Sequence, residues 1–375
     1  MKFTVERDAL IDAINWVARS LSSRPNITSL LGIVIDVTDT IKLTGSDLET
    51  STKATFHAEI SETGKVLVPG RLLAEISRSL PQKPITFLLE GTRVLVTAGT
   101  AKFTLPTLSL SDYPTLPEIP ETAGIITSDI FATAVNQVAV AAGRDDSLPT
   151  LTGVFIEIVG KTITLAATDR YRLAVKEITW QPKNEAIETS TLLRARTLSD
   201  AAKSLANSSE VIFALSPLEA KEKLVGFVSH EKTMTSRTLD GSFPPFKHLL
   251  PQQSTAQAII EVSTLLDSVR RVALVTDKTV PLRLIFSENS LLLEAGAGEE
   301  AQATEELNIE YAGEEINIAF NPTFLTDGLQ AINSPYVHIA FTGEKKPAVL
   351  TGKNELDGEI DNSYKYLLMP MRYNS

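Results

Sequence analysis

One pattern recurs three times along this chain of 375 residues, and it limits the fold more than any other feature. An amphipathic segment opens each copy. Residues 4–21 place Leu10, Ile11, Ile14, Val17 and Leu21 on one face; residues 127–142 place Ile130, Ala134, Val138 and Ala141; residues 262–275 place Leu265, Leu266, Val269 and Val272. This is the i, i+3/i+4, i+7 spacing of a half-buried helix. Alternating apolar runs follow at 32–37, 153–158 and 282–286, with partner runs at 41–43, 163–165 and 291–293. Period-two alternation reads as strands with one face on a core. Second helices are predicted over 69–80, 192–206 and 321–332. Closing strand pairs follow at 85–89 with 93–97, 211–215 with 223–228, and 337–341 with 348–351.

The order helix–strands–helix–strands is thus written three times at a period of roughly 120–130 residues, the size of one small domain. The stretches 105–124 and 241–257 read as junctions, with Pro106, Pro114, Pro117 and Pro120 in one and Pro244, Pro245 and Pro251 in the other. They echo each other as Asp112-Tyr113-Pro114 and Ser242-Phe243-Pro244. The expected fold class is α+β, as three tandem repeats of one helix/sheet domain over 1–122, 123–253 and 254–375.

Charge decides which partners such a repeat can meet. The net charge is −11, which repels phosphates if it is evenly spread. It is not evenly spread: the predicted helices and their flanks hold eleven Lys or Arg against nine Asp or Glu, so the deficit lies in strands and loops. Helices gathered on one side would present a mildly basic face while the rest stays acidic.

Chemistry finds little support. The chain has no cysteine, which excludes disulfides, cysteine-ligated zinc and a thiol nucleophile. His57, His230, His248 and His338 show no metal-ligand spacing, and no phosphate loop or nucleophile elbow occurs. Gly296-Ala297-Gly298-Glu299-Glu300-Ala301 fits a loose dinucleotide pattern, but its two glutamates would repel a pyrophosphate, so it reads as a hairpin turn. Thr168-Asp169-Arg170-Tyr171-Arg172-Leu173 is polar enough to suggest acid–base work. Asp47 in Gly45-Ser46-Asp47-Leu48-Glu49 holds the equivalent place in the first repeat, which favours a turn-anchoring aspartate. No metal, cofactor or catalytic residue is expected. The polar N-terminus and the lack of a long apolar stretch predict a cytoplasmic protein with no membrane partner.

Those residues resemble the beta sliding clamp of bacterial DNA polymerase III. The resemblance is carried by Met1-Lys2-Phe3-Thr4-Val5, Leu43-Thr44-Gly45-Ser46-Asp47-Leu48-Glu49, Ala167-Thr168-Asp169-Arg170-Tyr171-Arg172-Leu173, Asp240-Gly241-Ser242-Phe243-Pro244 and Leu368-Met369-Pro370-Met371-Arg372. It runs the length of the chain, in order. It implies a head-to-tail homodimer whose two copies form a ring, with helices lining the hole and sheets outside. Such a ring encircles double-stranded DNA without reading sequence, does no catalysis, and tethers the polymerase. Base-edge contacts worth ~1–3 kcal/mol each would pause a sliding ring, so weak phosphate contacts suit it better.

By resemblance, DNA contacts are expected at Arg24 and around Arg144; helix placement adds Arg71, Arg78, Arg194, Arg196, Lys203, Arg270 and Arg271. The subunit interface is expected to set Phe103 against Leu274 and Val275. The family also has an apolar cleft for short motifs of the DNA polymerase III catalytic subunit, the clamp loader and other clamp-binding proteins. Matching positions are Leu151, Thr168, Tyr171, Arg172, Leu173, Pro244, His248, Leu249, Pro347, Leu367, Leu368, Met369, Pro370, Met371 and Arg372. Leu and Met give an adaptable pocket that tolerates several partners. Leu148, Arg170 and the tail Tyr373-Asn374-Ser375 depart from the family pattern. Two rival classes are a repeat scaffold indifferent to DNA and a hydrolase built on scattered carboxylates; the latter needs a paired-carboxylate pocket that the sequence does not show.

Overall fold

The structure, a computed structural model, describes residues 1–22, 26–206, 208–217, 219–251, 253–276, 280–296 and 301–373. Among the described residues one element order is repeated three times. The first repeat has β1 (Lys2–Val5), α1 (Arg7–Ala18), β2 (Gly32–Val37), β3 (Ile41–Ser46), β4 (Thr50–Phe56), β5 (Glu59–Glu62), β6 (Gly64–Pro69), α2 (Gly70–Ser79), β7 (Ile85–Glu90), β8 (Arg93–Ala98) and β9 (Ala101–Pro106). The second has β10 (Thr122–Thr127), α3 (Ser128–Ala139), β11 (Gly153–Val159), β12 (Thr162–Thr168), β13 (Arg172–Thr179), β14 (Gln181–Pro182), β15 (Glu188–Arg194), α4 (Ala195–Leu205), β16 (Glu210–Leu215), β17 (Leu224–Ser229) and β18 (Lys232–Arg237). The third has β19 (Ala256–Glu261), α5 (Val262–Val272), β20 (Leu282–Ser287), β21 (Ser290–Ala295), β22 (Ala303–Asn308), β23 (Glu310–Ala312), β24 (Ile316–Phe320), α6 (Pro322–Ala331), β25 (Tyr336–Phe341), β26 (Ala348–Lys353) and β27 (Ile360–Leu368).

Three sequence expectations change. Thr4 and Val5 belong to β1, not to the first helix, because Phe3 and Val5 are buried while Lys2 is exposed, the period of a strand. Leu192, Leu193 and Arg194 likewise end β15 instead of starting the fourth helix. In α3 the buried stripe is Phe131, Ala134, Val135 and Val138, and Ile130 is 39% exposed.

Contacts divide the chain into two compact units, and the central repeat contributes to both. The first unit comprises Met1–Ala132, Trp180–Glu185 and Asp200–Thr238. It contains a five-stranded sheet, β5-β1-β7-β8-β9, and a nine-stranded sheet, β14-β10-β16-β17-β18-β4-β3-β2-β6. In the nine-stranded sheet, antiparallel pairing of β18 with β4 joins the second repeat to the first, with Met234 opposite Thr52. Helix α1 packs on α2 and on β4, and buried Trp16 donates its indole N–H to Lys53 O at 2.9 Å. Phe3 stacks on Phe87 with centroids 4.8 Å apart.

The second unit comprises Thr133–Thr179, Ala186–Ser199 and Leu239–Ser375. Its nine-stranded sheet runs β15-β11-β12-β13-β27-β26-β25-β19-β23, beside a four-stranded sheet β22-β21-β20-β24. Here antiparallel pairing of β13 with β27 joins the second repeat to the third, with Ala174 opposite Tyr366. Helix α5 packs on α6, and α6 packs on β27. Gly328 permits that contact, since a Cβ there would stand 2.4 Å from the Tyr366 ring. No described helix is long and apolar enough to cross a membrane.

Candidate functional site

The second unit's joint carries a cleft of about 330 Å³. It is lined by the segment after α3 (Arg144, Asp145, Leu148, Leu151), by the turn between β12 and β13 (Asp169 to Arg172), and by Phe324 and Asp327 of α6. The turn is set locally. Thr168 Oγ1 donates to Arg172 O at 2.6 Å, and Asp169 Oδ1 accepts the Tyr171 and Arg172 amides at 3.0 and 3.1 Å. An aspartate bonding its own backbone in this way fixes a tight turn. Its third residue, Arg170, sits at φ 81°, a left-handed conformation that side chains rarely adopt.

That turn delivers the Arg172 side chain, only 5% exposed, into the cleft floor. Its Nε meets Asp169 Oδ2 at 2.9 Å, and its Nη1 meets Asp327 Oδ2 at 2.7 Å and the Tyr366 hydroxyl at 3.4 Å. The guanidinium carbon lies 4.2 Å from the centre of the Phe324 ring. Burial alone would lower its pKa, but Tyr366 and the Asp327 and Asp169 carboxylates outweigh burial and raise it, so the cation is permanent. Burial chiefly pushes up the Tyr366 phenol as well, keeping it neutral; it donates to Phe324 O at 2.8 Å. A buried cation so bonded fixes the ring of Phe324, against which Tyr171, 57% exposed, is stacked at 6.4 Å.

Of the positions expected in a cleft, Leu151, Tyr171 and Arg172 line this one, and Thr168 holds its turn. Leu173 and Leu367, paired across β13 and β27, are 2% and 3% exposed and pack with Phe246 and Val349, and Leu368 is fully buried; none of the three lines this cavity. Met369, 39% exposed, is tied to the cleft edge because its amide donates to Tyr171 O at 2.9 Å. Pro370, Met371 and Arg372 follow it, with the Met371 amide on Ala319 O at 2.8 Å. Pro244, His248 and Leu249 are exposed, and Pro347 is half-buried; none lines this cavity. Phe324 and Asp327 escaped the sequence reading. Their only signal was a single acid on a helix otherwise free of charge.

The expected DNA contacts separate into distinct groups. Arg24 lies outside the described residues. Arg71 and Arg78 on α2 and Arg196 and Lys203 on α4 are exposed, with Arg78 Nε on Asn15 Oδ1 at 3.2 Å. Arg194 pairs with Asp146 at 3.4 Å, and Arg270 with Asp267 at 3.8 Å. Arg271 is bonded through both Nε (3.1 Å) and Nη2 (2.5 Å) to Glu305 of β22, so its charge is answered within the fold. Arg144 is on the cleft rim, beside the residues expected to hold peptides. Phe103 is half-buried on β9; Leu274, on a short 3-10 turn with half-buried Val275, is 83% exposed. The glutamates of the dinucleotide-like run, with Ala297 and Gly298, lie outside the described residues.

Comparison with known proteins places this geometry. The models of the DNA polymerase III beta subunit match in three pieces: the N-terminal domain over residues 1–117, the central domain over 125–245 and the C-terminal domain over 247–372. A beta sliding clamp of Streptomyces coelicolor is 47% identical over 99% of both chains. A beta sliding clamp homolog, GriR, of Streptomyces muensis is 41% identical over 100% of both. The crystal structure of the Bacillus subtilis DNA polymerase sliding clamp superposes with a TM-score of 0.91 at 25% identity, covering 100% of each chain. A Pseudomonas aeruginosa sliding clamp, solved bound to griselimycin, gives a TM-score of 0.91 at 27% identity. The chain belongs to the DNA polymerase III beta subunit family, and its fold is that family's clamp fold of three tandem α+β repeats.

Proposed function

We propose that this chain is a sliding clamp: two copies close head to tail around duplex DNA, and the ring tethers the replicative polymerase without chemistry of its own. One observation carries the reading. Each joint within the chain pairs the last strand of one repeat with the fourth strand of its neighbour, β18 with β4 and β27 with β13. Two equivalent edges stay open among the described residues, β9 of the first repeat and β22 of the third. A heterologous contact between such edges closes a ring when the rotation per copy allows, and closure removes edge strands that would otherwise template aggregation.

By analogy, the internal joint also supports one register for the closing contact. The hairpin pairs Ser229↔Lys232 and Ala98↔Ala101 align Met234 with Phe103. The pairs Gly45↔Thr52 and Ala295↔Ala303 align Thr52 with Ala303. Since Met234 faces Thr52, Phe103 of one copy faces Ala303 of the other. Exposed Leu274 supports the same face as an interface.

Retention is then geometric. The exposed cations of α2 and α4 supply phosphate contacts that fade with salt and read no bases. The cleft around Tyr171, Arg172 and Met369 is the seat for short peptide motifs of the polymerase catalytic subunit, the clamp loader and other partners.

The experiment exploits the absence of cysteine. Phe103→Cys with Ala303→Cys is expected to form interchain disulfides on mild oxidation, since directly opposed antiparallel residues stand ~4.5–5.5 Å apart. Moving the first cysteine to Leu105 is expected to abolish them. Loaded on nicked circular DNA and oxidised, the ring is expected to survive high salt and to leave once the circle is linearised. Equal loss from circular and linear DNA would refute enclosure.

A further inference from the structure

The cleft holds an imbalance of hydrogen-bonding capacity, and its interpretation rests on reading that cleft as a partner site. Six charged side chains line it, three Arg and three Asp. The acids are engaged: Asp169 accepts from Arg172 and from two amides, Asp327 accepts from Arg172, and Asp145 Oδ1 accepts the Ser147 amide at 2.9 Å. Of the bases only Arg172 is engaged. Among the described residues, the guanidinium groups of Arg170 and Arg144 make no hydrogen bond or ion pair, and both residues are exposed. Asp145 is the internal competitor; Ser147 chiefly, and Arg170 to a lesser degree, hold its carboxyl below the usual range.

Backbone strain does not account for Arg170. The first repeat's equivalent turn holds Leu48 at φ 78°, so the fold accepts a side chain in this left-handed position twice. What differs is chemistry: an exposed leucine in one joint, a cation at the edge of a cavity in the other. Beside Arg170 stand the apolar surfaces of Leu148, Leu151, Tyr171 and Phe324. A guanidinium offers five donors in a fork that fits a carboxylate with two parallel bonds.

We infer that Arg170, with Arg144 on the same rim, selects partner peptides that carry an acidic side chain next to their apolar anchors. Arg170 is the specificity-determining residue and Arg172 the fixed floor. An apolar wall with a stacked Tyr171–Phe324 pair fits peptide side chains better than a sugar–phosphate strand, whose contacts would be phosphate contacts throughout.

The test uses fluorescent peptides with two adjacent large apolar side chains and one flanking Glu, Gln or Lys, titrated against the full chain. The Glu peptide is expected to bind about three- to fivefold more tightly than the Gln peptide at low salt, the scale of an exposed ion pair. The preference is expected to vanish near 0.5 M salt, where screening is short-ranged (~3–5 Å). It is also expected to vanish in Arg170→Gln, and in Arg170→Gly, which relaxes the turn, each variant binding the Glu and Gln peptides with equal affinity. Equal Glu and Gln affinities in the natural protein would overturn the proposal, as would a preference that survives both variants. Reduced retention of Arg170→Gln on circular DNA with unchanged peptide affinities would overturn it in favour of nucleic acid. If no peptide of the set binds while the 103–303 disulfide still forms, the cleft reading itself fails and this inference with it.

Discussion

The turn at 46–50, in the first unit, and the turn at 168–172, in the second, share one hydrogen-bond skeleton and end on different side chains. In both, an aspartate oxygen accepts two amides, at 3.0 and 2.7 Å for Asp47 and at 3.0 and 3.1 Å for Asp169. In both, a hydroxyl donates to the carbonyl four residues on, Ser46 at 3.0 Å and Thr168 at 2.6 Å. The fifth residue separates them. Thr50 is a small buried group 3.4 Å from the Ser236 hydroxyl, whereas Arg172 is a buried cation held by two carboxylates and a ring. The skeleton builds a joint between repeats; the residue at its end decides whether the joint is only structural or also carries a site.

The largest expected effect tests that division. Arg172→Ala leaves Asp327 and Asp169 without their cation, and breaking a buried pair typically costs ~3–5 kcal/mol. Thr50→Ala removes one neutral hydrogen bond, worth about 1 kcal/mol. Denaturant midpoints followed by hydrogen exchange in each unit separate the two, and equal losses would erase the distinction. Next in size, Asp47→Ala is expected to cost ~1–2 kcal/mol through two orphaned amides. Asp169→Ala is expected to cost more, since it also removes a partner of Arg172; a smaller loss there would mean that the salt bridge adds nothing to the turn.

The smallest effect concerns acid. His338 of β25 is buried between Thr351 and Gln257, each 3.1 Å from a ring nitrogen. Burial first, and Lys353 second, lower its pKa below the ordinary value of 6.5. A histidine that is harder to protonate when folded takes up protons preferentially in the unfolded chain. Its contribution is therefore complete above about pH 6.5 and lost as pH falls from there toward the lowered folded value. Hydrogen exchange in β25 and β26 is expected to accelerate over that acid range, and His338→Gln to remove the pH dependence. An acid response confined to the first unit would contradict it.

Much of this is legible in the sequence alone. The threefold order of helices and strands, the turn-anchoring role of Asp169 by analogy with Asp47, and the strand pairs at 32–43, 153–165 and 282–293 all follow from local periodicity and spacing. Periodicity reports which face of a segment turns inward over a few residues, and it does so well for long, regular segments. It failed where a short strand abuts a helix, at β1 and β15, because two or three alternating residues are too few to establish a period.

Tertiary structure alone decided what those faces meet. Asp327 and Tyr366 lie 155 and 194 positions beyond Arg172 in sequence, and nothing local marks either as its partner. Leu173 and Leu367 are far apart on the chain, and only the pairing of β13 with β27 sets them opposite each other against Phe246 and Val349. Arg271 is a bare cation on the chain, and only the placement of β22 gives it Glu305 as a partner. A sequence fixes each residue's chemistry and its local geometry, but a charge is neutralised, or left available, only when chain closure sets its neighbours.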